Sequence, residues 1–221
     1  MSYLVKYAPD VKLDAPWDGA AWETANIINI NIFRDRSSDH HPEVQCKLLY
    51  NENGIYGLFQ VKDKYVRSVS TKFQDGVCGD SCVEFFVEPG GGKGYLNFEF
   101  NCGGNMLVYQ VINASRNENG LREYYKLTED DVAGMEQFTT MPPVVEPEIT
   151  EPVTWRRGFF IPLSVFEKTT GLQSAKLSGQ IWRANLYKCA DKTSHPHWAS
   201  WQPLTATNFH LPECFGEITF E

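Results

Sequence analysis

Period-two alternation of apolar and polar residues recurs along most of the chain. Residues 26–33 read NIININIF and put Ile28, Ile30 and Ile32 on one side. Tyr95 to Cys102 puts Leu96, Phe98 and Phe100 on one face and Tyr95, Asn97, Glu99 and Asn101 on the other. In the run from Gln180, Ile181, Arg183, Asn185 and Tyr187 oppose Trp182, Ala184, Leu186 and Lys188. This pattern, with its β-branched and aromatic residues, predicts half-buried strands. Glu43–Tyr50 and Gly54–Asp63 flank an Asn-Gly step and read as a hairpin. Asp80–Glu88, Met106–Ile112, Trp155–Pro162 and Phe215–Phe220 add further strands. Lys64–Gly79 and Met141–Pro152 read as loops, and Gly90-Gly91-Gly92 as a flexible turn rather than a phosphate loop.

One stretch breaks the alternation. Leu163 to Gly171 predicts a single short helix, with Ser164 and Glu167 as a capping box and Gly171 at its C-terminal end. About ten strands with one short helix specify an all-β fold, two antiparallel sheets packed as a jelly-roll-like β-sandwich. With no internal repeat, residues 1–221 form a single domain.

Composition narrows the function. Aromatic residues make up 14% of the chain and the formal charge is -8, which repels phosphate backbones and argues against a nucleic-acid partner. No apolar run approaches the roughly eighteen residues of a membrane span. The N-terminal MSYLVKYAPD lacks the apolar core of a signal peptide. As written the chain reads as cytoplasmic, and as secreted only if a signal was removed. The cysteines at 46, 78, 82, 102, 189 and 214 contain no C-x-x-C pair, so they read as buried or half-buried free thiols rather than a zinc framework. His40 and His41 fall in a charged loop, Arg34–Pro42, and read as solvated. Trp22 reads as core.

Several phrases together carry a resemblance. They are the D-x-x-W-D-G-A-x-W opening at Asp14–Trp22, the strand ending at Asp63, and Asp80-Ser81-Cys82-Val83-Glu84. Ile161-Pro162-Leu163-Ser164, Arg183-x-Asn185, Ser200-Trp201-x-Pro203 and Phe215-Gly216-x-Ile218 follow in order. This series resembles the family 9 carbohydrate-binding modules, of the kind found with xylanases, over nearly the whole chain. The resemblance implies a non-catalytic β-sandwich that binds mono- or oligosaccharides of xylan or cellulose type. In that family two tryptophans clamp the sugar, and the matching places here hold Phe73 and Phe209-His210. Glu84 matches the Glu of the family's D-S-V-E phrase, and Glu99 stands where a family Arg falls. Arg183 reads as a donor or as the partner of Glu84 or Glu99, Trp198 as an aromatic platform, and Trp201 as a platform or as core, so the expected ligand-binding residues are Phe73, Glu84, Glu99, Arg183, Trp198, Trp201 and His210. Family modules also hold structural calcium in loops, for which Asp35–Asp39 and Glu129–Asp131 are candidates.

Two other readings stay open. A DOMON-type haem module on a similar sandwich needs axial ligands, for which Met106 and His210 are available. A glycoside hydrolase-associated enzyme needs two carboxylates, for which Glu84 and Glu99 are available.

Overall fold

The computed structural model describes residues 1–118, 120–173 and 176–221. Its strands are β1 (Ser2–Tyr7), β2 (Ile28–Asn29), β3 (Ile32–Phe33), β4 (Glu43–Tyr50), β5 (Gly54–Asp63), β6 (Val66–Ser68), β7 (Cys82–Glu88) and β8 (Tyr95–Asn101). They continue with β9 (Met106–Asn117), β10 (Gly120–Lys126), β11 (Glu136–Thr139), β12 (Val145–Ile149), β13 (Val153–Pro162), β14 (Ile181–Cys189), β15 (Trp198–Ser200) and β16 (Gly216–Phe220). Among the described residues the single α-helix, α1, spans Leu163–Thr170.

The strands form an all-β sandwich. The front sheet runs β10-β9-β8-β7-β14-β16, and the back sheet runs β4-β5-β13-β11. Strand β1 joins them. Its first residues pair parallel with β16, from Ser2 opposite Glu217 to Val5 opposite Phe220. Lys6 and Tyr7 then pair parallel with Leu49 and Tyr50 of β4. The sheets are therefore antiparallel except at this seam, where one strand passes from one layer to the other.

The apolar halves of the alternating strands meet between the sheets. Phe85 of β7 and Phe100 of β8 stack on Phe159 of β13, with ring centroids 5.5 and 5.1 Å apart. Gly57 of β5 lies opposite Phe159 in register, and a Cβ there would sit 2.1 Å from the ring. Only a hydrogen fits beneath that ring. Arg157 is also on this face and fully buried, donating to the carbonyls of Asn101, Phe138 and Gly158 and to the Gln137 side chain. Burial lowers its pKa to about 10.

Several local expectations are corrected. The capping box does not form. The N-cap of α1 is Pro162, which has no side-chain cap, so Ser164 lies inside the helix, whereas Gly171 closes it in the left-handed region at φ 74°. The two expected loops contain β6 and β12, which pair with each other. β1, β10 and β11 also form where no strand was expected. The run 26–33 splits into β2 and β3, which pair with β4 and β15 respectively.

His40 is not solvated. Its Nε2 bonds Asp63 Oδ1 at 2.7 Å, and Trp155 Nε1 donates to Asp63 Oδ2 at 3.3 Å. Lys188, buried on the core side of β14, sets its Nζ 2.8 Å from His197 Nε2 and 3.7 Å from Asp63. Burial pushes the Asp63 carboxyl up, but Lys188, His40 and His197 together outweigh it and hold the pKa below the usual value. Burial, then Lys188, pushes His197 down to about 3, so its neutral ring accepts from the ammonium. Among the described residues, no helix is long and apolar enough to cross a membrane.

Candidate functional site

The outer face of the front sheet carries the polar half of the alternation. Strand β7 presents Glu84 and Phe86, β8 presents Tyr95, Asn97 and Glu99, and β14 presents Tyr187 and Cys189. Register sets Glu84 between Tyr187 on one side and Glu99 on the other. A long segment after β15 folds back over this face. Phe209 stacks on Tyr187 at 4.1 Å, Tyr187 Oη donates to the Phe209 carbonyl at 2.9 Å, and His210 Nδ1 bonds Tyr95 Oη at 2.7 Å. The segment leaves a cleft of about 520 Å³ whose lining includes Glu84, Glu99, Trp198, Asn208 and His210.

Cations and aromatic rings form the rim. Arg34 lies over the Phe209 ring at 4.1 Å and donates to the Thr207 carbonyl at 2.6 Å. Arg36 lies over Trp198 at 4.4 Å, and Trp198 Nε1 donates to Asp191 at 2.7 Å. Arg34 and Arg36 also border a neighbouring cleft of about 390 Å³. Two guanidiniums therefore occupy the faces that bare aromatics would offer to a ring.

The floor is lined by two buried carboxyl groups. Glu84 is 2% exposed and Glu99 8% exposed. Burial raises the Glu84 pKa well above the usual range, and the facing Glu99 raises it further. Burial also lifts Glu99 to about 7, against the hydrogen bond from Asn97 and with some help from Asp191. His210 is held down to about 4, first by burial and then by Arg116.

Among the described residues, five buried side-chain atoms have no hydrogen-bond partner. They are Arg34 Nε and Nη2, Glu84 Oε2, Asn97 Oδ1 and Asn208 Oδ1. Arg34, Glu84 and Asn208 line the cleft, and Asn97 Nδ2 bonds Glu99 Oε1 at 2.9 Å. Nε and Nη2 form one edge of a guanidinium, the edge that donates two parallel hydrogen bonds. A buried polar atom without a partner costs about 1–3 kcal/mol. Four of the five belong to residues that line this one cleft.

The model of carbohydrate-binding family 9 matches residues 11–220. The chain belongs to carbohydrate-binding family 9. Family 9 is a class of non-catalytic binding modules. A candidate carbohydrate-binding protein from Bacteroides uniformis ATCC 8492 is similar at 26% identity and a TM-score of 0.84, covering 100% of this chain and 99% of that one. A family 9 module from Caldicellulosiruptor kristjanssonii, solved with glucose, shares the fold at 14% identity and a TM-score of 0.64, covering 100% and 96%. Its complex with cellotriose matches at 16% identity and a TM-score of 0.61, covering 100% and 94%. No curated protein matches.

Of the expected ligand-binding residues in this family 9 chain, the cleft brings together Glu84, Glu99, Trp198 and His210. The other three lie elsewhere. Phe73 packs against the intersheet core, and Trp201 is 5% exposed within it. Arg183 pairs with Glu88 at 3.0 Å, not with Glu84 or Glu99, and also donates to the Pro212 carbonyl. Met106 faces the intersheet core, whereas His210 lies on the opposite side of the front sheet, so the two do not converge as haem ligands. Of the Asp-rich loops suggested for calcium, Asp131 is turned toward Lys168 Nζ at 2.9 Å and Thr128.

Three residues of the family phrases, Asp80, Asn185 and Ser200, hold backbone in place. Asn185 Oδ1 accepts from Gln202 N at 2.9 Å, and Ser200 Oγ donates to the Gln202 carbonyl, fixing the turn that launches the covering segment. Asp80 accepts from the amides of Val69 and Ser70 and from Asn101. Sequence reasoning missed Arg34, Arg36, Asp191 and Asn208, all in loops without motif spacing. Only the neighbourhood of Phe209-His210, where the family's second tryptophan falls, pointed to the covering segment.

Proposed function

We propose that the outer-face cleft binds a neutral mono- or oligosaccharide of cellulose or xylan type, without catalysing its hydrolysis. The observation that carries this reading is the set of buried, unpartnered atoms, which mixes donors on Arg34 with amide-oxygen acceptors on Asn97 and Asn208. A phosphate or carboxylate would satisfy donors only. A hydroxyl donates and accepts, so an array of hydroxyls can satisfy both. Family membership and the glucose- and cellotriose-bound relatives support the same class. In this reading the chain serves polysaccharide breakdown as a capture module, as the modules joined to xylanases do. Polar groups fix orientation, and the Trp198 and Phe209 edges supply apolar contact around the arginines.

Calorimetry with glucose, xylose, cellotriose and xylotriose tests it. At least one sugar is expected to give saturable heat at millimolar concentration, and Arg34→Ala is expected to abolish it while the protein stays folded. Absence of heat with all four, or unchanged binding in Arg34→Ala, rejects the reading.

A further inference from the structure

We propose that Cys82, Glu84 and Cys189 form a binding site for a soft divalent cation of the zinc class beneath the floor of the cleft. The site follows from strand register. Cys82 of β7 lies directly opposite Cys189 of β14, and Glu84 follows on the same face of β7. Cys189 Sγ donates to Glu84 Oε1 at 3.0 Å, and the three potential ligand atoms lie within 4.8 Å of one another. A tetrahedral shell with zinc–sulfur bonds of about 2.3 Å separates its ligands by roughly 3.8 Å, so modest closure brings these atoms to bonding positions.

A second observation points to a missing partner. Glu84 Oε2 is buried without a hydrogen bond, although Oε1 is used. A cation held between the thiolates and this carboxylate would satisfy it. Two thiolates with a carboxylate suit a borderline-soft ion better than calcium, which takes oxygen ligands. Cys78 lines the cleft, and its backbone carbonyl accepts from Cys189 Sγ at 3.7 Å. Without a cation, burial raises the Cys82 and Glu84 pKa values, and the Cys82 thiol, then burial, raises that of Cys189. Thiolate coordination therefore releases protons to solvent as the cation binds.

The other close cluster works differently. His40, Asp63 and His197 also lie within ligand distance of one another, but Lys188 Nζ already sits among them as the cation. Among the described residues the thiol cluster holds no lysine nitrogen in that way. It shares Glu84 with the floor of the cleft, and its spectroscopic readout is separate from the calorimetry of sugar binding.

The full chain, reduced and stripped with a chelator, is titrated with Cd²⁺ and with Co²⁺. One equivalent is expected to give an intense thiolate-to-metal charge-transfer band, and Co²⁺ the strong visible absorption of a tetrahedral site. Cys82→Ser and Cys189→Ser are expected to lose the band, whereas Cys46→Ser, which removes a thiol between the sheets, and Cys214→Ser keep it. Glu84→Gln is expected to keep the band and weaken affinity about 10-fold or more. Should the Cys82 and Cys189 variants fail to fold, Glu84→Gln and release of more than one proton per cation from the wild type decide. No band at one equivalent, a band that survives in Cys82→Ser, or affinity unchanged in Glu84→Gln overturns the proposal. So does isolation of the protein with Cys82 and Cys189 already joined as a disulfide.

Discussion

Glu99→Gln tests the electrostatics of the cleft floor. The substitution keeps the shape and can keep the hydrogen bond from Asn97 while removing a titrating group. Burial lifts the Glu99 pKa from 4.5 to about 7 in the folded protein. Below the unfolded value Glu99 is protonated in both states, and its full contribution to stability is present. As pH rises through the folded value the buried group must ionise, and that contribution is lost. At about 1.4 kcal/mol per pH unit, the gap amounts to about 3 kcal/mol. His197 and His210 act in the opposite sense. Their pKa values are held down to about 3 and about 4, so their stabilising effect is present above 6.5 and falls away as pH drops. Both histidines remain in the variant, so they cancel in the comparison. Urea unfolding of the two proteins from about pH 4 to about pH 8 is expected to show the variant gaining about 3 kcal/mol on the wild type. A difference between the two proteins that stays constant within about 0.5 kcal/mol across that range refutes the reasoning.

Other substitutions separate packing from binding. Gly57→Ala forces a methyl against the Phe159 ring and is expected to cost about 1–3 kcal/mol in urea unfolding; an unchanged midpoint contradicts the close approach. Trp201→Ala is expected to cost about 3–5 kcal/mol as a core truncation. Trp198→Ala at the cleft rim is expected to lower melting by only a few degrees while weakening sugar binding about ten-fold, measured by calorimetry. Lys188→Met leaves Asp63 with a buried charge and is expected to cost about 3–5 kcal/mol. Because Lys188 is second only to burial in depressing His197, NMR titration of that variant is expected to show His197 protonating at higher pH.

The strands were legible because each buries one face, and alternation records that directly. Leu96, Phe98 and Phe100 show it on β8, as do Trp182, Ala184 and Leu186 on β14. β1 was less legible because part of its pairing is with a strand at the far end of the chain. β6 and β12 are short and lie among turn residues. The helix cap misled because a Ser-x-x-Glu spacing does not fix which residue starts the helix, and the preceding proline took the N-cap position. The cleft floor could be read in part, since the outward positions Glu84 and Glu99 follow from the same alternation. Its walls could not. Arg34, Asp191 and Asn208 come from loops whose convergence depends on the covering segment, and local sequence does not encode that convergence. Trp201 and Arg183 stayed ambiguous because an aromatic or an arginine near a motif looks alike whether it packs, pairs or binds.

The parallel pairing of β1 with β16 has a mechanical consequence. Ser2 lies beside Glu217 and Val5 beside Phe220, so the incoming end of β1 and the outgoing end of β16 point away from each other along one ladder. Tension applied through the two ends of the chain loads those backbone hydrogen bonds in shear, all at once, rather than unzipping them one by one. A module that clings to a polysaccharide while something pulls on either end would meet that load at the seam where its two layers join.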